Sequence, residues 1–128
     1  MNTADGGNWV ELGDLSELSD GQVRAFPDLG CFGVVVCRVA GALHAIDDNC
    51  SHADTPLSEG RLRGTTIVCP LHGAQFDVRD GRHLCPPAWE GVVAYQVIEE
   101  QGAARVDLTR ACSPGASNRE VGGRFETR

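Results

Sequence analysis

Two short segments restrict what this chain can become. Cys50-Ser51-His52 is followed, after sixteen residues, by Cys69-Pro70-Leu71-His72, so each segment offers one thiol and one imidazole. That inventory suits an iron–sulfur centre with two cysteines on one iron and two histidines on the other, and it also suits a tetrahedral zinc site. Either use requires both segments to reach one place.

The rest of the chain sets the frame. At 128 residues it fits one domain with a modest core, and sixteen glycines and six prolines point to many turns and an all-β fold. The net charge is −7, and all eleven basic residues are arginines. Residues 1–50 carry eight acids against two arginines, whereas residues 110–128 carry two acids against four arginines. An acidic body argues against nucleic acid or an anionic membrane as the main partner and suits either steering toward a basic patch on another protein or simple solubility. Met1 to Asn8 has no basic residue and no apolar run, so no secretory or transit signal is read there. No segment approaches the roughly 18 apolar residues that a membrane helix needs. A cytoplasmic location is expected, where the six cysteines serve metal binding better than a disulfide framework.

In chain order, Trp9–Leu12 and Gln22–Phe26 are expected as strands, separated by a loop with room for one helical turn. Phe32–Ala40 (FGVVVCRVA) is a β-branched run expected to form a central buried strand. Cys31 and Cys37 are read as small core residues, since neither has a second Cys or His at ligand spacing. Gly41-Ala42 punctuates a hairpin whose return strand is Leu43–Asp47, with His44 an ordinary strand residue remote from any thiol. Asp48–Gly60 (DNCSHADTPLSEG) is dense in turn formers and expected to be irregular, with Cys50 and His52, two residues apart, facing one side. Arg61–Val68 holds a turn and a short strand, and Pro70 stiffens the second loop so that Leu71 can cover the site. Val92–Ile98 and Arg105–Leu108 are the last expected strands, closing the larger β unit by a hairpin pairing Val97 with Val106. Residues 110–128 show no periodic apolar face and read as a flexible tail in which Cys112 is an exposed thiol.

The CSH and CPLHG segments, followed by Ala74–Gly81 and the Leu84-Cys85-Pro86-Pro87-Ala88 stretch, closely resemble the Rieske [2Fe-2S] proteins. Within them the chain is similar to the ferredoxins that serve aromatic-ring-hydroxylating dioxygenases, from about Trp9 to Leu108. The resemblance implies a Rieske-type fold of stacked antiparallel sheets over residues 1–109, with a cluster-binding subdomain at about 48–88 formed by the two ligand loops. It implies one [2Fe-2S] cluster, with Cys50 and Cys69 on the inner iron and His52 and His72 on the outer, and Pro86-Pro87 as a third covering loop. Cys85 and His83 are then spectators, the latter facing solvent. Partial exposure of the histidine edges would be where a partner docks.

Rieske subunits of respiratory complexes carry a further disulfide across the two loops and hydroxyl donors near the cluster. Here Thr55 and Leu71 stand at the disulfide positions, Ala74 at the serine and Phe76 at the tyrosine. Fewer donors leave the reduced cluster less stabilised, which predicts a potential near the low end of the Rieske range, roughly −150 mV. The resemblance thus implies a monomeric single-electron carrier between a flavin-dependent ferredoxin reductase and a terminal non-haem iron oxygenase. No nucleophile–base pair or nucleotide loop supports a catalytic site of its own. The alternatives are the Rieske-like small subunit of an assimilatory nitrite reductase, a ferredoxin for another oxygenase or for iron–sulfur assembly, and a non-redox Cys2His2 zinc module.

Overall fold

A run such as Val34-Val35-Val36-Cys37 has no polar face, and it is stable in a sheet only if both faces of that sheet are covered. The computed structural model, which describes residues 8–50, 55–71, 73–85 and 91–111, with Cys85 in its backbone only, shows how both are covered. The run lies in a four-stranded sheet built from β2 (Val23–Phe26), β3 (Val34–Val39), β4 (Ala42–Asp47) and β9 (Ala94–Tyr95), in that order. On one side is a three-stranded sheet ordered β1 (Trp9–Asp14), β11 (Ala103–Asp107), β10 (Val97–Glu100). On the other is a four-stranded meander of β5 (Arg61–Arg63), β6 (Thr66–Val68), β7 (Gln75–Asp77) and β8 (His83–Cys85). Every paired strand is antiparallel. Among the described residues the helical content is one 3-10 turn, Leu57–Glu59, so the expected all-β architecture of stacked sheets is the one observed.

Strand alternation divides the core in two. Val34 and Val36 pack with Ala45, Tyr95, Ala104, Val106, Leu15 and Leu18 between the central and three-stranded sheets. Val35 and Cys37 point the other way and join Ile46, Leu57, Ile67, Phe76 and Val78, together with Cys50 and Cys69. Each fully buried side chain of this size contributes about 1.5–3 kcal/mol relative to exposure. Arg38 ties the first pair of sheets together. Its guanidinium, almost fully buried, donates to the carbonyls of Leu15, Leu18 and Gly41 and to both carboxylate oxygens of Glu99 on β10.

Two hairpins close by the same device. Ala40 and Gly41 have φ of 50° and 85°, and Gln101 and Gly102 have φ of 55° and 88°. Two consecutive left-handed residues make the turn whose twist matches the strands it joins. The second of these hairpins pairs Val97 with Val106, as expected.

Four expectations need correction. The central strand begins at Val34 rather than Phe32, because Pro27 to Gly33 is a chain of turns with Gly30 and Gly33 at positive φ. Cys31 and Phe32 therefore lie on the surface, and Cys31 is disulfide-bonded rather than a thiol of the core; the partner sulfur lies outside the described residues. The stretch from Val92 to Ile98 is not one strand. It breaks at Gln96, where the chain leaves the central sheet (Ala45 opposite Tyr95) for the three-stranded one, and the Gln96 carbonyl accepts the Asp107 N–H at 2.9 Å across that corner. The final strand starts at Ala103, two residues before the expected Arg105, and ends at Asp107 rather than Leu108.

Candidate metal centre

The meander carries the second ligand segment and packs its inner face on the central sheet. Val68 ends β6 and Gln75 begins β7, opposite each other in register, so Cys69 to Ala74 is the turn between them. The Cys69 N–H donates to the Ala74 carbonyl at 2.7 Å and closes that turn. Pro70 removes a donor there, and the Leu71 N–H is aimed back at the Cys69 Sγ at 3.4 Å. Such a donor stabilises negative charge on sulfur.

The first segment leaves β4 through Asp48 and Asn49. The Cys50 N–H donates to the Thr55 carbonyl at 2.8 Å, so that loop too is closed at its cysteine. Cys50 and Cys69 are 1% and 2% exposed, both are thiols outside any disulfide, and both belong to the same apolar cluster as Phe76, Ala74 and Ile67. Two thiols brought from separate loops into one apolar cluster, one already facing a backbone N–H, are donors that could serve a buried metal–thiolate site.

Close backbone contact holds the loops in this relation. A Cβ on Gly60 would stand 1.8 Å from the Val68 carbonyl oxygen and 3.2 Å from Pro70 Cδ, so only glycine lets the exit of the first loop lie against the approach to the second. A Cβ on Gly81 would meet the Val92 carbonyl oxygen at 1.9 Å, and the Val92 N–H donates to the Gly81 carbonyl at 2.8 Å. The turn after β7 is thereby fastened to the chain that returns from the proline segment.

His52, His72, Pro86-Pro87 and Cys112 lie outside the described residues, as does the Cys85 side chain. Among the described residues no group of three or more His, Cys, Asp or Glu side chains could hold a metal. His83 is exposed, as expected. Leu71, expected to cover the site, is 45% exposed. Thr55 is half-buried, and Ala74 and Phe76 are fully buried beside the thiols without a hydroxyl to offer them.

Cys37 is buried as expected, and burial, assisted by the Asp48 carboxylate, pushes its thiol up to about 12. The thiol stays protonated at neutral pH. His44 departs from expectation, for it stands directly opposite Cys37 in the β3–β4 ladder. Burial and then the Arg79 guanidinium hold its imidazole below the ordinary value, against the pull of Asp77. Asp77, buried on β7, takes a fork of two bonds from Arg79 at 3.0 and 2.8 Å and a longer one from Arg82 at 3.4 Å. Arg79, hydrogen-bonding first, holds its carboxyl down at about 2.

Sequence reading missed Asp48, Ser58 and Gly60. Asp48 accepts from both the N–H and the hydroxyl of Ser58, a contact that no local spacing announces. Gly60 was visible only as one of many glycines.

Comparison with known proteins follows the same outline. A family model described as Rieske [2Fe-2S] domain matches residues 8–96. The ferredoxin component of the naphthalene 1,2-dioxygenase system of Pseudomonas putida is 34% identical over 101 residues, covering 79% of this chain and 96% of its own length. The ferredoxin of carbazole 1,9a-dioxygenase from Nocardioides aromaticivorans IC177 superposes with a TM-score of 0.72 at 34% identity, covering 77% of this chain and 96% of that one. A chain in a complex of reduced oxygenase and oxidized ferredoxin in carbazole 1,9a-dioxygenase gives a TM-score of 0.74 at 29% identity, over 80% of this chain and 94% of that one.

Proposed function

The chain belongs to the Rieske [2Fe-2S] family, whose domain carries a single cluster of that type, and from that premise we propose that it is a single-electron carrier feeding a terminal non-haem iron oxygenase that hydroxylates aromatic rings. The observation that carries this reading is the convergence of Cys50 and Cys69, both buried and outside any disulfide, from two closed loops. Cys50 and Cys69 would hold one iron as thiolates, and His52 and His72 would hold the other as imidazoles. Replacing two thiolates by neutral imidazoles lowers the charge on the centre and makes its one-electron reduction easier than in an all-cysteine cluster.

The chain's own groups do the remaining work. Phe76, Ala74 and Ile67 exclude water from the thiolate side, and the Leu71 N–H steadies the charge on Cys69. With four protein ligands there is no open metal position, so the chain binds no small-molecule substrate. Residues 48–88 form the cluster-binding subdomain and 110–128 a tail. The electron comes from a flavin-dependent ferredoxin reductase, the carrier works as a monomer, and its place is the cytoplasm. No helix among the described residues is long and apolar enough to cross a membrane. Support for the oxygenase as acceptor comes from the relatives, one of them captured with its oxygenase.

The test mixes the chemically reduced protein with the terminal oxygenase of an aromatic-ring dioxygenase and follows reoxidation by stopped flow. Rapid reoxidation that supports product formation with a reductase and NADH is expected. Failure to support turnover with any aromatic dioxygenase, combined with transfer to a sulfur-mobilisation or nitrite-reducing partner, would overturn the reading.

A further inference from the structure

We propose that Asp48 and Ser58 form a positioning clasp that sets the first ligand loop at its place on the central sheet. The loop between them, residues 49–57, contains Cys50 and His52. Asp48 is 7% exposed, and its own N–H donates to the Gly33 carbonyl at 2.9 Å, so its backbone is fixed to the entry of β3. Its Oδ1 accepts the Ser58 N–H at 2.7 Å and its Oδ2 accepts the Ser58 hydroxyl at 2.6 Å. Pro56, at the start of the 3-10 turn, supplies no side-chain cap, so the Ser58 N–H has its partner ten residues upstream instead. Leu57, fully buried in the apolar cluster that holds both thiols, anchors the same turn from below.

Two bonds from one buried carboxylate to one residue fix both distance and orientation, which a single bond does not. The loop is thus held at its two ends by the clasp and within by the bond from Cys50 to Thr55. A ligand loop constrained in this way holds its donors in position whatever the charge on the cluster, and pre-organised donors release metal slowly. Asp48 is not itself assigned as a ligand. It acts through the loop, as a positioning residue.

The inference rests on the assignment of Cys50 and His52 as ligands. It is tested in the holoprotein by the rate at which a strong iron chelator bleaches the visible absorbance, and by the EPR line shape of the reduced protein. Asp48→Ala should bleach at least about tenfold faster and broaden the EPR signal, since hydrogen bonds to charged groups are lost at a buried site. Asp48→Asn keeps an acceptor for the Ser58 N–H and offers a donor to its hydroxyl, so it should stay within about threefold of wild type and retain the line shape. Ser58→Ala loses one of the two bonds and should fall between. If Asp48→Ala does not accumulate, Ser58→Ala decides. Wild-type release and line shape in Ser58→Ala would overturn the clasp, as would an Asp48→Asn protein as labile as Asp48→Ala. Wild-type protein without iron and sulfide would instead overturn the parent reading.

Discussion

Replacing Gly60 by alanine should damage the metal centre without touching a ligand. The new Cβ would lie 1.8 Å from the Val68 carbonyl oxygen, and contacts under 3.0 Å are essentially never seen for real Cβ atoms, so the two backbones must part by about 1.2 Å. Both are main chain, and no side-chain rotation relieves the clash. Val68 pairs with Arg61 at the end of the β5–β6 ladder, and Cys69 follows it directly. Overpacking of this kind costs about 1–3 kcal/mol, and loss of a terminal ladder bond adds about 1 kcal/mol. For a domain of this size a total of about 3 kcal/mol lowers Tm by more than about 10 °C. The same displacement moves Cys69 relative to Cys50, so iron per chain should fall well below wild type in protein expressed at low temperature. Differential scanning calorimetry and iron analysis on the purified variant measure both effects. A Gly60→Ala protein with full iron and a Tm within about 2 °C of wild type would refute the claim that this backbone contact sets the spacing of the loops.

Other expectations can be checked alongside. Leu71→Pro removes the N–H aimed at Cys69; if that bond is worth about 1 kcal/mol more in the reduced state, the potential should fall by about 40 mV, and an unchanged redox titration would contradict it. Wild type should titrate near about −150 mV because Ala74 and Phe76 offer no hydroxyl to the sulfurs, and a value well above zero would count against this. Asp77 is depressed from 3.8 to about 2, so its contribution to stability is complete above about pH 4 and is lost as pH falls toward 2. Allowing for the exposure of Arg79 and Arg82, that contribution is on the order of 1 kcal/mol. Asp77→Asn should therefore narrow its deficit against wild type between pH 5 and pH 2 in thermal melts, and a constant deficit would dismiss the linkage. Cys37→Ser should keep the visible spectrum of the cluster, since Cys37 lies within β3 and outside both ligand loops; loss of the spectrum with the fold intact would make Cys37 a ligand.

Much of this was legible in the chain because the deciding signals are local. Val34-Val35-Val36-Cys37 announces a strand covered on both sides, and the two Cys-His segments announce a metal site by composition and spacing alone. What could not be read depends on distant contacts. Gln96 looks like the middle of a β-branched strand, yet the chain changes sheets there because its neighbours across the fold, Ala45 and Val106, belong to different layers. Cys31 resembles a core cysteine, but Gly30 and Gly33 turn the chain outward before the strand begins. His44 has no thiol near it in sequence, and the hairpin register places it opposite Cys37. Asp48 and Ser58 were readable only as turn formers, since their pairing spans ten residues and goes with the burial of Leu57 in the core.

The central claim is that two cysteines and two histidines, Cys50, Cys69, His52 and His72, hold one redox-active cluster. Pulsed EPR of the dithionite-reduced protein tests it most directly, because it detects the nitrogen nuclei coupled to the reduced iron. The expected result is coupling from two imidazole nitrogens, with one lost in His52→Cys or His72→Cys. A reduced cluster without nitrogen coupling, or a colourless protein with one zinc per chain, would contradict it.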